Sequence, residues 1–465
     1  MTFAIVIIML LGYALICMEH ITRVNKATVA VFCGVVGWVL FICVGPDYIL
    51  KLHSENFKQF LDGAPFSIAA VNTYIAEHLF ARHIFHLCSI VMYLLSTMAI
   101  VELLQNNGCF DFITDWCRSR SRWRVVCSLA FFSFILSANL DNLTSSVLML
   151  LILNQLIINP VQRRLLGVIV VIATSCGGCF TVIGDVTSLV IWTKEVVTPT
   201  DYSFALFLPA VVATVVPTAL IGRKLPERLD IKRPGIMFRG DSSILPVWQR
   251  LIMLIVGIGG LWFVPTFYRL THLPPFLGAL CVLGVLWVVN EIVNRRSILT
   301  DQPITIGASR SLQYAILQMI MFFVGVGLCV DVLIEVGAMQ AVASWCDEHI
   351  HNIYIMSIFL GMVSAVMDNI ALVLSAVSIY HEIPDTSVMT EYMTSFIQNG
   401  QYWHLIALSS CVGGCLLPIG STAGYTLMKS EDVTIWWYFR QITIKVLVGW
   451  ILALGVYFVV DSFLR

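Results

Sequence analysis

Long apolar runs, separated by short polar loops, dominate the sequence. Ten of these runs have the length of a membrane span, at about residues 2–18, 27–44, 84–104, 165–193, 203–221, 248–267, 276–292, 311–330, 403–428 and 442–461. An apolar helix satisfies its own backbone hydrogen bonds, which is a requirement inside a bilayer. The pattern therefore predicts an all-α polytopic membrane protein with ten spans.

Two further apolar regions, 125–158 and 353–380, are each interrupted by an Asp-Asn pair. Asp141 is the only charged residue in the first region, and Asp368 is the only one in the second. Each region would give two arms of roughly 12–16 residues, or about 18–24 Å, which is shorter than the hydrocarbon core. We therefore predict two re-entrant hairpins with Asp-Asn at their tips. The alternative is one long tilted helix per region.

Two of the ten spans contain helix-breaking residues. Residues 175–179 (Ser-Cys-Gly-Gly-Cys) and 183–185 (Ile-Gly-Asp) interrupt the run 165–193, and residues 413–421 interrupt the run 403–428. Non-helical backbone at membrane depth is tolerated only where protein or a water-filled cavity surrounds it. Broken helices at corresponding places in two halves indicate the binding site of a transporter.

The second half of the sequence repeats the first. The Asp-Asn pairs recur at an offset of 227 residues and the Gly-Gly pairs at 236. Gly108, Trp116 and Cys117 recur at 229, so a short interfacial helix is expected before each hairpin. We predict two repeats, 1–221 and 248–465, joined by a linker at 222–247. Scaffold helices (1–117 and 248–350) would precede a transport part formed by a hairpin and a broken helix (118–221 and 351–465).

Charge predicts that the two repeats are inverted relative to each other. The first hairpin region is flanked by arginines, namely Arg118, Arg120, Arg122, Arg124, Arg163 and Arg164. The second is flanked by acidic residues and histidines, namely Asp347, Glu348, His349, His351, Glu382, Asp385 and Glu391. Positive residues mark the cytoplasmic side. The first hairpin should therefore enter from the cytoplasm and the second from outside, with both termini outside.

Composition and cysteine usage limit the other classes. The chain is 58% hydrophobic and 12% charged, with a net charge of −1, and no basic patch favours nucleic acid. The linker's basic residues, Arg223, Lys224, Arg228, Lys232, Arg233 and Arg239, instead mark it as cytoplasmic. The first apolar run lacks the basic start and cleavage site of a signal peptide. Cys176-Gly-Gly-Cys179, echoed by Cys411 and Cys415, lacks the ligands that complete a tetrahedral metal site.

The hairpin tips and helix breaks bring oxygen-bearing side chains to membrane depth. Sodium is a hard cation that prefers such oxygens. The candidate cation and proton ligands are Asp141, Asn142, Thr144, Ser145, Asp185, Thr187 and Ser188 in the first half, and Ser364, Asp368, Asn369, Ser421 and Thr422 in the second. Supporting loop residues are Ser175, Gly177, Gly178, Gly184, Gly413, Gly414 and Gly420. The half-sites are unequal because Ser421 stands where the first half has Asp185. We therefore place the exchangeable proton on Asp141 or Asp185 before Asp368.

Each candidate has a structural alternative. The three aspartates could cap helix ends, and the Gly-Gly pairs could be sites of close packing. The polar cluster at 77–86 (Glu77, His78, Arg82, His83 and His86) is interpreted as a solvated outer loop, with pH sensing as the alternative. Glu102 and Asp331, which end equivalent spans, are interpreted as interfacial.

The paired motifs resemble those of the NhaD-type sodium/proton antiporters in the ion transporter superfamily. The resemblance rests on 137–144 (Ser-Ala-Asn-Leu-Asp-Asn-Leu-Thr), on 177–188, and on their counterparts from 364 to 421. It implies an elevator-type movement, a homodimer, and transport roles for Asp141, Asn142, Asp185, Thr187, Ser188, Ser364, Asn369 and Ser421. The chain departs from the family pattern at Ser175, Val182 and Pro418, where Asn, Pro and Ser are usual.

Together these observations predict a secondary antiporter of a bacterial inner membrane. It would exchange cytoplasmic Na⁺, with Li⁺ as an alternative cargo, for external H⁺ without a cofactor or a transition metal. A buried carboxylate that binds either ion couples the two, because they compete for one site. The alternatives are an organic-anion or arsenite transporter on the same scaffold and, more remotely, a membrane-embedded aspartyl enzyme. The hairpin regions and broken helices carry no Arg or Lys with which to bind an anion.

Overall fold

A computed structural model describes residues 2–22, 24–62, 65–232, 245–298, 310–380 and 392–464. These residues are helical apart from short loops, and they contain no β-strand beyond two isolated bridges, Ser121 with Arg228 and Ile157 with Ile231. Part of the predicted linker, with Arg233 and Arg239, lies outside the described residues, as do Glu382, Asp385 and Glu391. The predicted all-α class is confirmed for the described chain.

The helices follow one another with few long connections. In order they are α1 (Thr2–Cys17), α2 (Glu19–Thr22), α3 (Lys26–Leu52), α4 (Ser54–Leu61), α5 (Ile68–Tyr74), α6 (Ala81–Asn106), α7 (Asp111–Cys117), α8 (Arg122–Asn139), α9 (Asn142–Leu156), α10 (Pro160–Cys179), α11 (Val186–Thr193), α12 (Pro199–Gly222), α13 (Val247–Leu254), α14 (Phe263–Thr271), α15 (Pro275–Ile298), α16 (Arg310–Glu335), α17 (Ala338–His349), α18 (Ile353–Ser364), α19 (Asn369–Ile379), α20 (Gln401–Gly413), α21 (Thr422–Glu431), α22 (Ile435–Tyr438) and α23 (Ile444–Leu464). π-helical turns join α5 to α6, extend α13 to Gly259, and join α22 to α23.

Most of the predicted spans coincide with helices long and apolar enough to cross a membrane. Among the described residues there are seven such helices, and an eighth if the bent pair Val247–Gly259 and Phe263–Thr271 counts as one span. The prediction of ten spans, two of them broken, differs from this count at two runs, the second of which was predicted to be broken. The run at 2–18 forms a shorter apolar helix, and the run at 403–428 is divided into α20 and α21.

The two Asp-Asn regions are each divided into two helices, so the alternative of one long helix is wrong. In the first region α8 ends at Asn139 and α9 begins at Asn142, and the two helices pack against each other and against α10. α8 has 18 residues, more than the 16 expected for an arm. In the second region α18 ends at Ser364 and α19 begins at Asn369.

Both broken helices are present. The predicted interruption at 175–179 is wrong, whereas the predicted interruptions at 183–185 and 413–421 coincide with the observed breaks. α10 continues through Gly177 and Gly178 to Cys179, and α20 continues to Gly413. A glycine within a helix costs only about 1 kcal/mol relative to alanine, so paired glycines do not by themselves end one. The non-helical segments are 180–185 and 414–421.

The short helices expected before the two hairpin regions are α7 and α17. Each follows a glycine in the left-handed region, Gly108 with φ of 67° and Gly337 with φ of 78°. A side chain is strained at such φ values, so glycine is the residue that turns the chain there without cost. This local conformation recurs at the offset of 229 found in the sequence.

The chain forms two compact units. Unit 1 comprises Met1–Val91, Ser309–Asn352 and Ile370–Thr386, and unit 2 comprises Met92–Ala308, Ile353–Asn369 and Ser387–Arg465. In unit 1, α3 packs along α16 and also contacts α1. In unit 2, α10 contacts α8, α9, α12, α20 and α21, so it is the central helix of that unit.

Unit 1 contains a buried ion-pair cluster around Glu335 of α16. The Glu335 carboxylate lies 2.8 Å from His53 Nε2 and 2.7 Å from His83 Nε2, and His83 Nδ1 lies 3.0 Å from Asp331 Oδ1. Neutral imidazole has one N–H, so a ring bonded to carboxylates at both nitrogens is positively charged. The interpretation of 77–86 as a solvated loop is wrong, because these residues are helical and His83 is buried, as is Asp331.

Replacing Glu335 by Gln is expected to destabilise the protein by about 3–5 kcal/mol, because it leaves a buried charge without its partner. Thermal unfolding of the purified protein in detergent measures this loss. Glu77→Gln is the control. Glu77 is exposed on the helical stretch that carries His83, and the effect of such surface substitutions on stability usually stays within about 0.5 kcal/mol. Equal melting temperatures for the two variants would contradict the ion-pair assignment.

Candidate functional site

Asp141 lies at the turn between α8 and α9 and caps the start of α9. Its Oδ2 accepts hydrogen bonds from the Thr144 backbone N–H at 3.1 Å and from the Thr144 hydroxyl at 3.3 Å. The next residue, Asn142, donates from Nδ2 to Ser175 Oγ on α10 at 3.4 Å. Asp141 is only 5% exposed. The first hairpin tip therefore holds a carboxylate inside the protein, fixed by donors from its own helix and adjacent to α10.

Asp185 ends the break in the first broken helix and caps α11. Its Oδ1 accepts from the Val186 N–H at 2.9 Å and its Oδ2 accepts from the Thr187 hydroxyl at 2.6 Å. The Ser188 hydroxyl accepts from the Asp185 N–H at 3.2 Å, which completes a reciprocal capping box. Capping and ion binding are compatible roles, because a capping carboxylate retains further lone pairs.

Glycines allow the first broken helix to lie directly against the hairpin tip. A Cβ at Gly177 would lie 2.3 Å from the Phe134 carbonyl oxygen, and one at Gly184 would lie 2.6 Å from that of Ser137. The Thr181 hydroxyl donates to the Ala138 carbonyl oxygen at 2.6 Å, which ties the break to the end of α8. Close packing is therefore the role of Gly177, and the break itself lies beyond it.

The second half makes the corresponding contacts. A Cβ at Gly413 would lie 2.1 Å from the Gly361 carbonyl oxygen, and one at Gly420 would lie 2.3 Å from that of Ser364. Gly361 and Ser364 follow Phe134 and Ser137 by 227 residues, while Gly413 and Gly420 follow Gly177 and Gly184 by 236. Gly178 approaches Gly184 in the first half as Gly414 approaches Gly420 in the second. The repeat found in the sequence therefore extends to backbone contacts.

Two serines of the second half hydrogen-bond to the backbone of α20 and α21. The Ser421 hydroxyl accepts from the Gly424 N–H at 3.1 Å and caps α21, and the Ser364 hydroxyl donates to the Ser410 carbonyl oxygen at 2.7 Å. Asp368 and Asn369 are both buried, at 4% and 3% exposure. Serine thus takes over in α21 the capping role that Asp185 has in α11, without its charge.

Three buried carboxylates of unit 2 are linked by electrostatic interactions. Asp185 interacts electrostatically with Asp141 and with Asp368, and all three are at least 95% buried. Like charges held close in a poorly solvated site cannot all remain ionised without a compensating cation or proton. The structure therefore brings together the three aspartates that the sequence identified separately.

Several buried oxygens near the first tip have no hydrogen-bond partner among the described residues. They are Ser137 Oγ, Asn142 Oδ1 and Ser145 Oγ, each within four positions of Asp141. A buried polar group without a partner costs free energy, and hydroxyl and amide oxygens are the ligands that a hard cation prefers. The unpaired oxygen atoms around Asp141 are therefore suitable ligands for Na⁺.

Cys411 on α20 is a contact of Asp185 that is not among the predicted ligands. The Cys411 thiol donates to Asp185 Oδ2 at 3.5 Å and lies 3.6 Å from Thr187 Oγ1. In the sequence, Cys411 stands out only because its spacing from Cys415 resembles that of Cys176 and Cys179. The available signal was the offset of 236, which makes Cys411 the counterpart of Ser175.

Comparison with known proteins identifies transporters. A family model described as citrate transporter matches residues 3–413. The chain is 30% identical over 458 residues to sodium/proton antiporter 2 of Arabidopsis thaliana, covering 97% of this chain and 98% of that protein. It is 30% identical to sodium/proton antiporter 1 of the same plant, covering 97% and 71%. It is 26% identical to the Na⁺/H⁺ antiporter NhaD of Alkalimonas amylolytica, covering 89% of each chain.

Proposed function

Because the chain belongs to the NhaD-type antiporters of the ion transporter superfamily, we propose that it exchanges cytoplasmic Na⁺ for external H⁺ at Asp141 and Asp185. It is a membrane-integral sodium/proton antiporter and not an enzyme. The observation that carries the assignment of the site is the grouping of three buried aspartates at the hairpin tip and helix breaks.

Competition for these carboxylates accounts for the coupling of the two ions. When Na⁺ leaves, the close negative charges repel one another, and a proton from the exposed side compensates them. When Na⁺ returns, its charge replaces that of the proton, which is then released. The N–H and hydroxyl donors at Val186, Thr187 and Thr144 keep the carboxylates in place throughout.

The remaining candidate residues would have different roles in this proposal. Asn142, Ser364, Asn369 and Ser421 would supply neutral oxygens, while Thr187 and Ser188 would orient Asp185. Asp141 and Asp185 carry the exchangeable proton in preference to Asp368, because the first half contributes two of the three charges. Li⁺, a smaller hard cation, would use the same oxygens.

Contacts within unit 2 support an inverted repeat. Ends predicted to face the cytoplasm meet one another, as in Arg163 Nε with Glu431 Oε2 at 2.6 Å and Asn107 Nδ2 with Asn290 Oδ1 at 2.8 Å. An end predicted to face outside, Asn399, accepts from the Thr198 N–H at 2.6 Å. We propose elevator-type movement of the transport parts (118–221 and 351–465) against the scaffold helices (1–117 and 248–350) of a homodimer. Its setting would be a bacterial-type inner membrane, with both termini outside.

Transport of an organic anion is the second candidate, since the matching family model is described as citrate transporter. An anion would be repelled by three clustered carboxylates. The apolar runs that hold the hairpin tips and helix breaks contain no Arg or Lys to oppose that repulsion; they are residues 125–158, 165–193, 353–380 and 403–428. The charge of the site therefore favours a cation as cargo.

Reconstitution into vesicles tests the proposed function. With a pH gradient imposed and a pH-sensitive dye inside, addition of Na⁺ should collapse the gradient, whereas K⁺ or citrate should not. Protein-free vesicles control for leakage, and Li⁺ defines the cation preference. Collapse by citrate and not by Na⁺ would overturn the proposal in favour of the second candidate.

A further inference from the structure

Cys411 connects the second broken helix to the aspartate of the first. It lies on α20 two residues before the end of that helix, it is 1% exposed, and its sulfur contacts both Asp185 Oδ2 and Thr187 Oγ1. Resting on the proposed function, we propose that Cys411 is a specificity-determining residue that limits how tightly Na⁺ binds at Asp185.

The chemistry of the thiol gives this effect a direction. The S–H group occupies a lone pair of Asp185 Oδ2 that a cation would otherwise use, so Na⁺ must displace it. Sulfur is a soft ligand and coordinates a hard cation only weakly. The thiol therefore opposes cation binding at this carboxylate, where a hydroxyl would supply an oxygen.

The buried thiol of Cys415 has a different hydrogen-bond acceptor, which separates the role of Cys411 from that of a thiol that only packs. Cys415, one helical turn further along the chain, is also 1% exposed, but its thiol donates to the Cys411 backbone carbonyl oxygen at 3.5 Å. At the position equivalent to Cys411 in the first half, Ser175 presents a hydroxyl to Asn142 at 3.4 Å. The two broken helices thus present different atoms, an oxygen and a sulfur, to the first half-site.

Replacing Cys411 by Ser should therefore tighten Na⁺ binding. Because a C–O bond is shorter than a C–S bond, the serine oxygen would lie further from Asp185 and leave room for the cation beside a hard ligand. We expect KM for Na⁺ to fall roughly 3- to 10-fold, the range of one neutral hydrogen bond, with kcat nearly unchanged. Cys411→Ala releases Asp185 without adding an oxygen, so KM should fall less.

The measurement is Na⁺- and Li⁺-dependent exchange in vesicles for wild type, Cys411→Ser, Cys411→Ala and the control Cys117→Ser, which changes a buried thiol of α7. The control should keep the wild-type KM and Na⁺-to-Li⁺ ratio, whereas Cys411→Ser should change both. Should Cys411→Ser fail to fold, as judged by gel filtration in detergent, Cys411→Ala carries the test.

Two failures are distinguishable in this design. Absence of exchange in the wild-type protein would contradict the proposed function itself. A wild type that exchanges normally, with unchanged KM and cation ratio in both Cys411 variants, would overturn the role of Cys411 alone. A fall in kcat with unchanged KM would also overturn it, since that result indicates a structural contribution.

Discussion

Asp141→Asn is expected to abolish Na⁺-driven proton exchange while leaving the fold intact. Asparagine caps helices as well as aspartate does, so the hydrogen bond from the Thr144 N–H to residue 141 can be retained while the charge is lost. A charged hydrogen-bonding partner contributes about 1.5–3 kcal/mol, which corresponds to about 10- to 150-fold in cation affinity. Loss of the proton-binding carboxylate removes the coupling as well. Exchange in vesicles and thermal unfolding in detergent measure the two properties separately.

The matched variants at the other two aspartates sharpen this experiment. Asp185→Asn should behave like Asp141→Asn, because residue 185 is also an N-cap that asparagine can replace. Asp368→Asn should retain measurable exchange, because two carboxylates would remain in the first half-site. Full exchange by the Asp141 variant would mean that Asp141 is only a helix cap.

Gly413→Ala is expected to destabilise the protein and to abolish exchange. The added methyl group would lie 2.1 Å from the Gly361 carbonyl oxygen and 2.7 Å from its carbon. Both are backbone atoms, which cannot rotate away as a side chain does. Overpacking of this kind typically costs about 1–3 kcal/mol and sometimes more, and it would also push α20 away from α18. We expect a lower melting temperature and loss of exchange.

Gly455→Ala is the control for Gly413→Ala. A Cβ at Gly455 meets nothing within 4 Å of the described structure, and the residue lies within α23. Alanine is favoured over glycine within a helix by roughly 0.5–1 kcal/mol, so this variant should be at least as stable as wild type and fully active. Wild-type stability and exchange in Gly413→Ala would show that the close approach of α18 and α20 is dispensable.

Residues at membrane depth show why sequence alone predicted so much here. Asp141 and Asp368 stand out because a charge within an apolar run is costly in a bilayer, by roughly 2.5–3.5 kcal/mol on insertion scales. This cost can be recognised from the sequence, without knowledge of which residues contact the aspartate in the fold. The same holds for the repeat offsets and for the division of each Asp-Asn region into two helices.

The role of a glycine could not be predicted from the sequence in the same way. Gly177 and Gly178 predicted a helix break, yet both lie within α10, where Gly177 approaches Phe134 and Gly178 approaches Gly184. A glycine is compatible both with a break and with a close contact, and the local pattern does not distinguish them. His83 was misinterpreted for a similar reason, because its partners on α16 lie about 250 residues away.

The Asp-Asn stretches and their paired breaks thus followed from the sequence by itself, because the membrane penalises every exposed charge and every unpaired backbone group wherever it occurs. Tertiary structure alone decided which atoms meet. The grouping of Asp185 with Asp141 and Asp368, and the thiol of Cys411 on Asp185 Oδ2, join residues from distant helices. Such contacts depend on how helices pack, which the periodicity of a single helix does not encode.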